Sequence, residues 1–168
     1  MPFGKTLDEK ESNLAQQATV TVTSGKAENL TDCTLSGGVS VDITGDNAVS
    51  SENPYSVVFD FGTDYKNIAN FEIFSKEAVS EGITSLVVYY QKNSQWTQTA
   101  EFDFTYSEGR ASENLGIAEG DIDVTANKLR FDVVGVPSGA DTLTINEICL
   151  YEKDISDLSE LEKTIRMF

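Results

Sequence analysis

Histidine is absent from all 168 residues. Its absence removes the commonest general acid–base group and the commonest transition-metal ligand. Any Ser-His-Asp or Cys-His catalytic arrangement is thereby excluded. Cysteine is nearly absent too. Cys33 and Cys149 are the only two and stand too far apart for a CxxC motif, which excludes a zinc ribbon or a thioredoxin-like dithiol. Positive charge is scarce: 12 Lys and Arg face 28 Asp and Glu, a formal net charge of −16. Such a field repels a phosphate backbone, so nucleic acid and anionic membrane are poor partners. No apolar run approaches the roughly 18 to 20 residues of a membrane span. "MPFGKTLDEKESN" lacks the apolar core of a signal peptide. The chain therefore reads as a piece of a longer protein with flanking modules.

Apolar residues make up 39% of the chain and charged residues 24%, enough of the first to bury a core. From "ATVTVTSG" onward the apolar pattern has period two, with turn-formers between the runs. "SVVFDFG", "NIANFEIFS", "SLVVYYQK", "QWTQTAEFDFTY", "NKLRFDVVG" and "TLTINEICLYE" follow, about seven or eight short strands in all. That spacing predicts an antiparallel β-sandwich. Long loops are expected at Gly37–Pro54, Lys76–Thr84 and Ser107–Thr125. Residues 1–12 read as a flexible segment, 13–152 as the sandwich, and 153–168 as a short amphipathic helix or the start of a following module. In the last stretch Leu158, Leu161, Ile165 and Phe168 share one helical face. "GDIDVTAN" sets Asp121, Asp123, Thr125 and Asn127 at alternate positions, but Ala126 stands where an EF-hand needs glycine, and Asp132 where it needs glutamate. It reads as strand.

Several segments, in order, resemble the discoidin-like domains, also called coagulation factor 5/8 type C domains or family 32 carbohydrate-binding modules, of galactose-binding-like fold. "NLAQQATVTVTSG" resembles their first strand and "NLTDC" their "LTDG" loop. "YSVVFDFGTDYKNIANFEIFS" is similar to their paired apolar strands. "ITSLVVYYQKNSQWTQTA" resembles their hairpin, with Trp96 in the tryptophan position, and "LTINEICLYE" resembles their closing strand. The resemblance spans about Asn13 to Glu152 and implies an all-β, eight-stranded antiparallel jelly-roll sandwich.

It also implies a structural calcium held between the "LTDG"-like loop and the closing strand. The matching positions are Asp32 as side-chain ligand, Asn29 and Thr34 as loop ligands, and Glu147 as the closing carboxylate, hard oxygens that suit calcium. Cys33 replaces the glycine after the aspartate, and Gly37 a threonine. If loop and strand meet as the resemblance implies, Cys33 and Cys149 are neighbours. They would form either a disulfide that shares the clamping or two buried thiols.

Sugar-binding relatives use a histidine, an arginine and one or two aromatics on loops at one end. Histidine is missing here, and the arginine segment reads "SKEAVSEG", with Lys76 and Glu77. The remaining candidates for contact with a sugar are Asp42, Asp46 and Asn47 in the first loop, Lys76, and Tyr106, Arg110 and Asn114 in the later loop. Their stacking surface, acceptors and donors suit hydroxyls. The expected function is a non-catalytic carbohydrate-binding module of a larger secreted or cell-surface bacterial protein. It would act as a monomer outside the cell and bind a neutral or galactose-type glycan. A spacer or protein-binding module of the same fold is the alternative. With 28 acidic residues, paired carboxylates at glycosidase distance carry little information.

Overall fold

The computed structural model describes residues 13–106 and 115–152. The expected terminal helix and N-terminal segment lie outside them. Ten strands occur among the described residues: β1 (Thr19–Val22), β2 (Val39–Asp42), β3 (Tyr55–Asp60), β4 (Lys66–Ser75), β5 (Ser85–Lys92), β6 (Gln95–Asp103), β7 (Gly116–Ala126), β8 (Lys128–Gly135), β9 (Thr142–Ile145) and β10 (Glu147–Glu152). One short helical turn, α1 (Ala78–Glu81), lies between β4 and β5. The strands form a five-stranded sheet of order β1-β3-β8-β5-β6, a three-stranded sheet β10-β4-β7 and a separate pair β2-β9. Every pairing is antiparallel.

The expected antiparallel sandwich is present, but with ten strands in place of eight. The extra ones have physical reasons for escaping a sequence reading, and β7 (Gly116–Ala126) also stands where much of the Ser107–Thr125 loop was expected. β2 is four residues long and lies inside a Gly- and Ser-rich stretch. "TLTINEICLYE" looks continuous, yet Asn146 interrupts it by giving its backbone N–H to the Phe74 carbonyl at 2.7 Å. The result is β9 on one side and β10 on the other.

Period-two burial builds the core. Along β3, Tyr55, Val57 and Phe59 are buried while Ser56, Val58 and Asp60 alternate with them. Phe59 and Phe131 of the five-stranded sheet meet edge-on at 5.6 Å, and Phe71 of β4 reaches across to Phe131 at 5.0 Å and Phe102 at 5.2 Å. These aromatic contacts join the two sheets. Gly120, opposite Phe71 in the register, leaves room for the Phe102 ring, which a Cβ there would meet at 2.3 Å. The β5–β6 hairpin turns through Asn93 and Ser94, both with positive φ (58° and 66°), the geometry whose twist matches the strands. Of the adjacent tyrosines, Tyr90 packs against the core and Tyr89 lies outside beneath Arg130.

Phe71 has no exposed surface and carries the contact between sheets. Phe71→Ala is expected to cost about 3–5 kcal/mol of unfolding free energy, read by urea denaturation. A loss below about 1 kcal/mol would show that the sheets are held elsewhere.

Candidate functional site

The segment Thr23–Asp42 builds two features in turn. Its middle forms a cradle around Glu147, and its two ends line a cleft.

The cradle begins with a 3-10 turn, Ala27–Leu30, that buries Leu30 completely. Asp32 follows and accepts the Thr34 N–H at 3.1 Å through Oδ1. Cys33 takes a positive φ of 64° and donates its N–H to Glu147 Oε2 at 2.9 Å. Thr34 turns its hydroxyl onto Ser36, at 2.6 Å from the hydroxyl and 2.9 Å from the N–H, so only its carbonyl is left for an ion. Gly37 sits over the aspartate: a Cβ there would lie 3.0 Å from Asp32 Oδ2 and 3.9 Å from the Asn29 carbonyl oxygen. The side-chain amide of Asn29 donates to the Gly38 carbonyl at 3.3 Å.

Glu147 is fully buried. Its second oxygen, Oε1, is buried with no hydrogen-bond partner. Burial, reinforced by the facing Asp32 carboxylate, pushes its pKa up to about 8 despite the Cys33 N–H. Asn29, Asp32, Thr34 and Glu147 thus lie in one cradle, with the Asp32 carboxylate close enough to Glu147 to raise its pKa. Two carboxylates and loop carbonyls match a hard divalent cation in charge and donor type. No cluster of three or more acidic, Cys or His side chains able to hold a metal occurs among the described residues, so such an ion would depend on backbone oxygens for the rest of its shell.

Asn146 was missed in the sequence. Its amide donates to the carbonyls of Leu35 at 3.2 Å and Gly37 at 3.1 Å, and its Oδ1 accepts the Lys76 N–H at 2.7 Å. It therefore ties the cradle loop to the end of β4. Its only sequence signal was its place beside Glu147.

The structure carries Cys33 and Cys149 as thiols, the second of the two arrangements left open by the sequence. They are neighbours, close enough for mutual electrostatic influence, but the Cys149 thiol bonds Tyr151 two residues along its own strand. Cys33, turned by its positive φ, commits its backbone to Glu147. Burial first, then the nearby carboxylates, raise the Cys149 pKa to about 12, so it stays a neutral thiol.

The cleft has a volume of about 520 Å³ and lies between Thr23–Gly25, β2 and the loop from Asp46 to Tyr55. Asp42, Asp46 and Asn47 all line it. Asp42 Oδ1 accepts both the N–H and the hydroxyl of Thr44, at 2.9 and 2.6 Å, and these bonds hold its carboxyl below the usual carboxylate range. The Asn53 amide donates to the carbonyls of Asp46 and Ala48 at 3.2 and 2.9 Å, so the loop is fixed before any ligand arrives. Gly25 is required at the floor: its φ is +97°, and a Cβ would meet Val39 Cγ1 at 2.6 Å. Val41, Val49 and Pro54 supply apolar surface. Tyr55 is the one aromatic in the lining, and it is buried with its hydroxyl donated to the Ser24 carbonyl.

The other candidates do not join this cleft. Lys76 is exposed and lies outside the lining. Tyr106 gives its hydroxyl to the Ile83 carbonyl at 2.8 Å and lays its ring where a side chain at Gly116 would be. It braces a strand end and is not an open stacking platform. Arg110 and Asn114 lie outside the described residues. Trp96 lies outside the core cluster. The Arg130 guanidinium covers both Tyr89 (4.1 Å) and Trp96 (4.8 Å) on the outer face of the five-stranded sheet, 3.1 Å from Asp132.

No family model matches the chain. No curated protein matches it in sequence. Solved structures do match. The family 32 carbohydrate-binding module of NanJ from Clostridium perfringens, in complex with galactose, is 16% identical, with a TM-score of 0.64 over 84% of this chain and 98% of that one. The module CpGH89CBM32-5 from the same organism, in complex with GalNAc-β-1,3-galactose, is 14% identical, with a TM-score of 0.63 over 83% of this chain and 99% of that one. The family 32 module of AlyQ, in complex with 4,5-unsaturated mannuronic acid, is 17% identical, with a TM-score of 0.57 over 80% and 95%. The chain has the fold of the family 32 carbohydrate-binding modules.

The raised pKa of Glu147 gives a pH dependence whose sign is fixed. In the unfolded chain the group ionises near its ordinary value of 4.5, and in the folded chain near 8. Between these values the folded state binds the extra proton, so stability is full below the lower value and is lost as pH rises toward the upper. With a chelator present, the melting temperature is expected to fall from about pH 5 to pH 8, and Glu147→Gln is expected to flatten that slope. An unchanged slope in the variant would show that Glu147 is not its source.

Proposed function

We propose that the chain is a non-catalytic carbohydrate-binding module of a larger secreted or cell-surface bacterial protein, holding a glycan in the cleft formed by Thr23–Gly25, β2 and the loop from Asp46 to Tyr55. One observation carries the reading. A preformed concavity of about 520 Å³, rimmed by Asp42, Asp46 and Asn47 over an apolar floor, stands on a fold whose solved neighbours hold sugars. Carboxylates and amides accept and donate to hydroxyls, while Val41, Val49 and Pro54 take the sugar's apolar face. The lining offers no exposed aromatic for a sugar to stack on. The same lack favours the second reading, a spacer or protein-binding module. No helix among the described residues is long and apolar enough to cross a membrane.

The cradle is proposed to hold a structural calcium. Asp32 and Glu147 would supply the charge, and Asn29, Thr34 and neighbouring carbonyls the remaining oxygens. A bound divalent cation supplies the positive charge that the two facing carboxylates lack. The support is the orphaned, buried Glu147 Oε1.

Two measurements test these readings. A glycan array probed with the 168-residue chain is expected to give reproducible hits that Asp42→Ala and Asn47→Ala weaken at least tenfold, about 1.4 kcal/mol. A blank array from folded protein would leave the spacer standing. Separately, calcium added to chelator-treated chain is expected to raise the melting temperature by several degrees, the size of shift expected from about 1 kcal/mol or more of binding free energy. Glu147→Gln should abolish the rise. No rise in the unaltered chain would remove calcium from the account.

A further inference from the structure

The charge of the cleft narrows its ligand further, on the premise that the cleft binds a sugar at all. Two of its lining residues are carboxylates, Asp42 and Asp46, and none is Lys or Arg. Lys26 directly follows the lining residue Gly25 but is not itself part of the lining. Both Asp42 and Asp46 are exposed at the rim, and the whole chain carries −16. An anionic sugar entering the cleft would meet two like charges and no counter-charge.

The Asp42 carboxylate is also oriented. Both bonds from Thr44 fall on Oδ1, which leaves Oδ2 for a ligand. The backbone at Asp46 is fixed, because its carbonyl accepts from the Asn53 amide. Asn47 adds a neutral amide between them in chain order, suited to a hydroxyl. An oriented carboxylate at Asp42 and a second at Asp46, beside hydroxyl-binding groups and a small apolar floor, complement a ligand bearing a primary ammonium flanked by hydroxyls.

We infer that the cleft selects 2-amino-2-deoxy sugars with a free, protonated amine over their N-acetylated counterparts, and disfavours uronic acids, with Asp42 and Asp46 as the specificity-determining residues. No bond forms or breaks; the selection is ionic and hydrogen-bonded. A lysine side chain offers the same ammonium without the ring hydroxyls, and the test separates that source.

Isothermal titration of the whole chain at about pH 6, where such amines are protonated, would use four probes: a glucosamine trisaccharide, its fully N-acetylated form, a galacturonate trisaccharide and a trilysine peptide. The expected order is the amine sugar at least tenfold tighter than the acetylated one, with no detectable binding of the uronate. Raising salt from about 20 to about 500 mM should erode the preference several-fold. Asp42→Asn with Asp46→Asn, both exposed and isosteric, should bring the two neutral-backbone sugars to equal affinity while circular dichroism shows unchanged folding. Equal binding of the amine and acetylated sugars by the unaltered chain overturns the inference and leaves the sugar-binding reading intact. So does a preference that survives the double variant. Trilysine binding as tightly as the amine sugar overturns the sugar assignment. No binding of any saccharide overturns both the inference and the reading it rests on.

Discussion

The arrangement depends on a buried carboxylate. Glu147 opens β10 with no exposed surface, and one of its oxygens is satisfied by the Cys33 N–H from far along the chain. Burying a charge is costly unless it is paired, so the loop facing Glu147 cannot be arbitrary. It brings the Cys33 N–H to Oε2, and burial beside Asp32 raises the carboxyl's pKa to about 8, which favours its neutral form. Asn146, one residue earlier, completes the anchorage through Leu35, Gly37 and Lys76. The adjacent side chains of Asn146 and Glu147, at the start of β10, therefore hold the loop at Cys33, Leu35 and Gly37.

That loop lies between the two walls of the cleft. Thr23–Gly25 precede it and β2 follows it, and both line the concavity. Gly38, at φ +105°, passes so close to Ile145 and Asn146 that a Cβ would lie 2.5 Å from the Ile145 carbonyl oxygen. From there β2 runs in register with β9, Val39 opposite Ile145 and Asp42 opposite Thr142. An ion in the cradle would act on the cleft through this continuous backbone by limiting how far its walls can separate.

Much of this was legible in the sequence. Period two identified the long strands, because their inner faces carry Val, Ile and Phe at alternate positions. The cradle was legible only through likeness to a family, since nothing in the spacing of Asp32 and Glu147 says that they meet. The misreadings share a cause: exposure cannot be inferred from residue type alone. Tyr106 looked like a stacking residue because it is aromatic and near a loop, but its hydroxyl goes to Ile83. Asn146 was overlooked because an amide inside an apolar strand pattern resembles an ordinary break, and its three bonds reach partners distant in sequence.

The account's central claim is that a ligand sits between Thr23–Gly25, β2 and the loop from Asp46 to Tyr55. Two-dimensional amide NMR of the isotopically labelled chain, titrated with a soluble saccharide found to bind, tests it most directly. The account predicts that the largest shifts fall on Ser24, Gly25, Val41, Asp42, Asp46 and Asn47, with smaller ones spreading into the cradle at Cys33 and Gly37. Shifts confined to another surface, such as the Tyr89–Arg130–Trp96 face, would contradict it.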